Sequence, residues 1–355
     1  MSKFFSSKYS SLEPYVPGEQ PRDQQYIKLN TNESPFPPAP SVLDAVKQEA
    51  SKLQLYSDPN STDLTAAVAS YYSLNPSQVL MTNGSDEILN FAFMAFGDDD
   101  NPFCFPDISY GFYEVIASLN GIPFKKIPLN EDFTINIDAF CNVDCNIVIP
   151  NPNAPTGIPL SISDIQKIIE SNSNHVVIID EAYVDFGAPS CIDLISKYDN
   201  LLVTQTFSKS RSLAGGRIGM GFACNELIQD MNTLKYSGNP YNVNRMSSAA
   251  GIAAINDSAY FENNIEKIKK TRSITIEALR ERGFTVLDSA ANFVFAKAPN
   301  CSGDEFYNIL KDNGILIRHW NSERIKDWCR ITIGSDDQMQ VMINKIDELI
   351  ERGVL

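Results

Sequence analysis

ValValIleIleAspGluAlaTyr (176–183) and LeuLeuValThrGlnThrPheSerLys (201–209) decide the fold. Each opens on a short, unbroken apolar run and ends on polar residues with chemistry to offer. Continuous hydrophobicity, without the alternation of a half-exposed sheet, predicts strands covered on both faces by helices, as in a mostly parallel sheet. PheCysPhe (103–105), IleValIle (147–149) and ValLeuMetThr (79–82) repeat the pattern, separated by helical segments such as 163–171. SerThrAsp (61–63) reads as the cap of an apolar-periodic helix from Leu64 to Leu74, stopped by Pro76. The fold class is therefore α/β.

A chain of 355 residues is longer than one core needs, which predicts a large domain over 41–258 and a smaller one over 259–355. Residues 1–40 carry seven prolines and scattered apolar anchors, and read as an arm wrapped on the body. The tail mixes a long charged helix (263–282), strands at 293–295, 315–318 and 329–333, and helices near 303–312 and 336–351. There is no internal repeat.

A net charge of −15 makes the chain a poor binder of nucleic acid or anionic membranes. An anionic small substrate would have to be drawn in by local arginines. Seven scattered cysteines without a CxxC pair, and only two histidines, fit neither a disulfide framework nor a zinc site. No stretch has the length of a membrane span or the pattern of a signal peptide, so the expectation is a soluble, cytoplasmic protein without a bound metal.

Ligands of open α/β sheets sit beyond the carboxyl ends of the strands. Four such ends carry reactive groups here: Asp180 with Tyr183; Thr206, Ser208 and Lys209; Asn151 and Asn153 in AsnProAsnAlaProThrGly (151–157); and the turn AsnGlySerAspGlu (83–87), which opens a helix. Alone, each has an ordinary structural use as a cap, a turn or a solvated side chain. Together, on successive strand ends, they place an acid, a phenol, a lysine, an amide and an anion-binding turn around one point.

In this set the chain resembles the fold-type I pyridoxal-phosphate aminotransferases, and within them it looks like the histidinol-phosphate aminotransferase family. The likeness also runs through TyrValProGly (15–18), LysLeuAsnThrAsnGluSerPro (28–35), TyrSerAspPro (56–59), AlaGlyGlyArgIleGly (214–219) and ArgIleThrIleGly (330–334). It implies a large parallel-sheet domain, a small α+β domain and pyridoxal 5′-phosphate as cofactor. It also implies transamination of L-histidinol phosphate with 2-oxoglutarate, giving imidazole-acetol phosphate and glutamate. Lys209 would bond to the cofactor aldehyde and then shuttle the Cα proton. Asp180 would pair with the ring nitrogen, and Tyr183 would donate to the ring phenolate oxygen, with Tyr110 against the ring face. Ser85 and Asp86 amides, Thr206, Ser208 and Arg217 would hold the 5′-phosphate. Tyr56 would reach that phosphate from the other subunit of a homodimer. Arg330 would take the substrate carboxylate, with Arg318 and Tyr15 near the substrate phosphate.

One position departs from the family pattern. Where the family usually carries a phenolate-binding Asn before ProThrGly, this chain has Ala154, and Asn153 is the expected substitute. A threonine-phosphate decarboxylase or a broad aromatic aminotransferase would share the fold and cofactor. A cofactor-binding regulator fits less well, because Lys209, Asp180 and Tyr183 are intact and no DNA-binding extension is present. No nucleotide-binding GxGxxG or P-loop occurs.

Overall fold

The computed structural model describes residues 2–355. After the proline-rich arm come β1 (Ile27–Lys28) and helices α1 (Pro40–Ala50) and α2 (Thr62–Tyr71). The central alternation then runs β2 (Val79–Thr82), α3 (Ser85–Phe96), β3 (Phe103–Pro106), α4 (Phe112–Asn120), β4 (Phe124–Ile127), β5 (Asn146–Pro150), α5 (Ile162–Ser171), β6 (Val177–Asp180), β7 (Leu201–Thr206) and β8 (Gly219–Phe222). Helices α6 (Asn225–Gly238), α7 (Arg245–Asn256) and α8 (Ser258–Glu281) follow. The chain closes with β9 (Thr285–Val286), β10 (Phe293–Lys297), α9 (Gly303–Asp312), β11 (Ile315–Leu316), β12 (Arg318–His319), β13 (Trp328–Thr332) and α10 (Asp336–Glu351).

Every residue of β2, β3, β5, β6, β7 and β8 is buried, which is why their sequences read as unbroken apolar runs. With the partly exposed edge strand β4 they form one seven-stranded sheet in the order β2-β8-β7-β6-β5-β3-β4. Only β8 runs against its neighbours, pairing antiparallel with both β2 and β7. The carboxyl ends of β2, β3, β5, β6 and β7 therefore share one edge, and Gly219, where β8 starts, lies there too, opposite Thr82 and Thr206. Two apolar layers cover the sheet, one centred on Ile147, Ile179 and Val203, the other on Phe93, Phe103 and Ile178.

A second sheet, antiparallel and ordered β12-β13-β10-β9, has its own core with α8, α9 and α10. The end of the arm belongs to this unit, since β1 pairs with β11, Ile27 opposite Ile315 and Lys28 opposite Leu316. The helices at 303–312 and 336–351 stand where expected, each started by a capping box, Ser302 with Glu305 and Ser335 with Gln338. Two local expectations need correction. Ser61 makes no side-chain cap on α2; the Asp58 carboxylate accepts the Thr62 N–H at 2.8 Å instead, and the helix ends at Tyr71, short of Leu74. The run 315–318 splits into β11 and β12, because Ile315 and Leu316 pair with the arm while Arg318 turns to β13. No helix among the described residues is long and apolar enough to cross a membrane.

Candidate active site

The shared strand edge faces the second sheet across a cavity of about 920 Å³, inside the range that admits a cofactor together with a small substrate. Its wall contains twelve of the predicted site residues: Tyr15, Ser85, Asp86, Tyr110, Asp180, Tyr183, Thr206, Ser208, Lys209, Arg217, Arg318 and Arg330. Two predicted residues, Asn153 and Tyr56, are not part of that wall.

Asp180 ends β6 and is 5% exposed. Its Oδ2 accepts the Tyr113 hydroxyl at 2.7 Å and its Oδ1 the Ala182 N–H at 3.3 Å. Burial pushes its carboxyl up to about 6, against the pull of the Tyr113 bond. A carboxylate kept at such a cost is placed to meet a buried cationic partner. Lys209, just past β7, donates from Nζ to the Thr31 carbonyl at 3.2 Å and lies 5.8 Å from the centre of the Tyr183 ring. Tyr183 packs edge-on to Phe293 at 5.1 Å and accepts a hydrogen bond from Asn32 Nδ2 at 2.9 Å.

The turn after β2 is built for an anion. Gly84 is the N-cap of α3, at φ +80°, and no side chain caps the helix start. The Ser85 and Asp86 amides thus remain at the positive end of the helix. Gly219 has to be glycine, because a Cβ there would stand 2.4–2.6 Å from Gly84 and Ser85 backbone atoms. Thr206 and Ser208 hydroxyls sit 3.0 Å apart beside this turn. Arg217 reaches the turn with φ +50° and contacts Asp86 Oδ2 at 3.3 Å. Asp86 does more than supply an amide, since its other oxygen accepts the Tyr110 hydroxyl at 3.0 Å.

The opposite wall comes from the second sheet, the loop after β12 at Trp320, and the arm. Arg330 of β13 donates to the Asn30 carbonyl at 2.9 Å, while its Nε has no protein partner. Burial lowers its pKa, but a guanidinium stays charged. Arg318 donates to the carbonyls of Val16 and Pro17, both at 3.3 Å, and so ties the arm to the cavity rim. Both guanidiniums lie 5.3 Å from the Trp320 ring centre. Tyr15 stands edge-on to Tyr110 and Phe112.

Asn153 is a correction. Its amide donates to Thr156 Oγ1 in its own loop and to the Ile108 carbonyl in the loop after β3, both at 3.0 Å, so the backbone shift that would bring it to the cavity has not occurred. Ala154 and Pro155 face the cavity in its place. Tyr56 is 81% exposed, stacked on Tyr241 at 4.8 Å. Sequence reading assigned no part to Tyr113, Trp320 or Asn32. Asn32 lies within the quoted stretch 28–35, but its partner is 151 residues away and no local pattern points to it.

This donor set accommodates pyridoxal phosphate: a lysine, a buried carboxylate, a phenol and an anion cradle that added Cβ atoms would fill. The fold and site define a class, and the chain matches the family model for aminotransferase class I and II over residues 24–346. It is 48% identical to the histidinol-phosphate aminotransferase of Brachyspira hyodysenteriae, over 99% of this chain and 100% of that one. It is 46% identical to the enzyme of the same name from Clostridium acetobutylicum, with the same coverage. Among solved structures, histidinol-phosphate aminotransferase from Sinorhizobium meliloti, in complex with pyridoxal-5′-phosphate, superposes with a TM-score of 0.90 at 24% identity, covering 99% of each chain. The chain belongs to the class I and II aminotransferases and, within them, to the histidinol-phosphate aminotransferase family.

Proposed function

We propose that the chain transfers an amino group between L-histidinol phosphate and 2-oxoglutarate with pyridoxal 5′-phosphate. One observation carries the reading: Lys209, Asp180 and Tyr183 share a cavity with two separate sets of anion receptors, the Ser85–Arg217 cradle and the Arg318–Arg330 pair. The cradle suits the cofactor phosphate, which leaves the arginine pair for an anionic substrate. When bound, the cofactor supplies an aldehyde for the amino group and a ring that accepts electrons.

Lys209 Nζ would hold that aldehyde and would move the proton at the substrate Cα. Asp180 would hold the proton on the ring nitrogen, and the low dielectric around it would strengthen the pairing. Tyr183 would donate to the phenolate oxygen, a task in which Ala154, without a side-chain donor, gives it no help. Arg330 receives the carboxylate of glutamate or 2-oxoglutarate, and Arg318 with Tyr15 receives the substrate phosphate.

We further propose a homodimer with shared sites. Tyr56 does not line its own cavity; it is exposed and stacked on exposed Tyr241, with Leu53 and Leu55 exposed just before it in the chain, apolar surface suited to a second copy. The division into a large and a small domain follows the two sheets and their separate cores. All seven cysteines are free, in keeping with a reducing cytoplasm. The activity is tested by supplying glutamate and imidazole-acetol phosphate, with threonine phosphate as the competing substrate. Amino transfer without carbon dioxide release is the expected outcome. Carbon dioxide from threonine phosphate, without transfer, would place the chain with the decarboxylases.

A further inference from the structure

Asn30, Thr31 and Asn32 form a three-residue bridge across the cavity. Their consecutive carbonyls accept hydrogen bonds from Arg330, Lys209 and Asn292 respectively, at 2.9, 3.2 and 3.0 Å. Asn32 itself is 1% exposed and adopts φ +56°, a left-handed conformation that asparagine tolerates better than most residues. Its side chain is fixed from two directions. Thr332 Oγ1 accepts the Asn32 N–H at 3.0 Å and donates to Oδ1 at 3.0 Å. With Oδ1 engaged, Nδ2 faces Tyr183 and donates to its hydroxyl oxygen at 2.9 Å. Flipping the amide would leave the Thr332 hydroxyl proton without its acceptor inside a buried network.

A phenol has one proton, and an oxygen that already accepts from Asn32 is free to give that proton to something else. We propose that Asn32 is a positioning residue which fixes the polarity of the Tyr183 hydroxyl, so that its single proton points at the cofactor phenolate oxygen. This rests on the cofactor reading above and deepens it. Ala154, which faces the cavity, has no side-chain donor, and the Asn153 amide is occupied elsewhere, which leaves the phenolate to Tyr183. Asn32 makes that lone donor directional. Lys209, Arg330, Tyr15, Tyr110 and Tyr113 are titratable groups near Tyr183, Asp180 shares its cavity, and none of them bonds to its hydroxyl oxygen.

The test uses the loaded, full-length enzyme and the pH midpoint of the cofactor's visible absorption band. A donor on the phenolate oxygen favours the deprotonated form, so loss of that donor raises the midpoint. Asn32→Gly keeps the left-handed backbone and removes the amide. Asn32→Asp keeps the shape but only accepts, which turns the Tyr183 proton away from the cofactor. Asn32→Gly is expected to raise the midpoint by about 0.5–1 pH unit, the worth of one net hydrogen bond. Asn32→Asp should raise it at least as far, and Tyr183→Phe should raise it as well. Added to Tyr183→Phe, Asn32→Gly should shift nothing further, because its whole effect passes through that hydroxyl. An unmoved Asn32→Gly midpoint, or a shift that persists in the Tyr183→Phe background, overturns the proposal. If Asn32→Gly does not fold, Asn32→Asp decides by the same midpoint, and an unshifted value there overturns it too. A wild-type protein that takes up no cofactor overturns the cofactor reading and this proposal together, a result distinct from a normal wild-type band with silent variants.

Discussion

Replacing Asp180 by Asn should make the cofactor-free protein more stable while ruining the enzyme. The Asp180 carboxyl sits at about 6 in the folded chain against 3.8 for an ordinary aspartate, because burial disfavours its charge. Below pH 3.8 the group is protonated whether the chain is folded or not, and it costs nothing. Between 3.8 and 6 the unfolded chain gives up the proton first, so stability falls as pH rises. Above 6 both states are ionised and the penalty levels off at about 3 kcal/mol, from roughly two pKa units at 1.36 kcal/mol each. An amide carries no charge to desolvate and still accepts from Ala182 N–H. Urea unfolding of cofactor-free protein, at fixed protein concentration, should therefore show Asp180→Asn ahead by about 3 kcal/mol at pH 8, with the gap closing towards pH 4. Addition of cofactor should reverse the order, since only the carboxylate pairs with a protonated ring nitrogen. A variant no more stable than wild type at pH 8, or equally favoured at both pH values, would refute the burial argument.

Borohydride treatment of the loaded protein should fix the cofactor to Lys209, and a peptide map with another modified lysine would overturn that assignment. Lys209→Ala and Tyr56→Ala, each nearly inactive, should recover roughly a quarter of wild-type activity when unfolded and refolded together, since about half the dimers pair one of each and hold one intact site; no recovery would return Tyr56 to its own chain. Arg330→Ala should raise the KM for glutamate by one to two orders of magnitude, about the loss of one charge-assisted bidentate pair, with a smaller effect on the histidinol phosphate half reaction. Equal damage to both half reactions in single-turnover measurements would make Arg330 a structural residue.

The parts of the site that could be read from sequence are those the strands place by themselves. Asp180, Thr206, Ser208 and Lys209 follow apolar runs whose direction fixes where their side chains emerge, so a parallel sheet brings them to one edge without further information. Residues that act through distant partners were hidden. Tyr113 reaches Asp180 across 67 positions, and Asn32 reaches Tyr183 across 151. Neither spacing corresponds to a helical or strand repeat. Asn153 failed because two acceptors claim its amide, Thr156 within its own loop and the Ile108 carbonyl 45 positions away. Ser61 failed similarly, because Asp58, outside the quoted cap, sits better to accept the Thr62 N–H.

The bridge of residues 30–32 also constrains the order in which the molecule is assembled. Asn30 meets Arg330, and Asn32 meets Thr332, across 300 positions in each case. A chain emerging from the ribosome can complete the seven-stranded sheet once Phe222 is available. At that stage Lys209 and Asp180 exist, but β11, which pairs with the arm, and Arg330 and Thr332, which hold residues 30 and 32, have not been made. Contacts of such long sequence separation carry a loop-closure cost that is met late in folding. The half-built protein thus holds its reactive lysine in an open crevice, and the cavity closes only when β13, almost the last element, is in place.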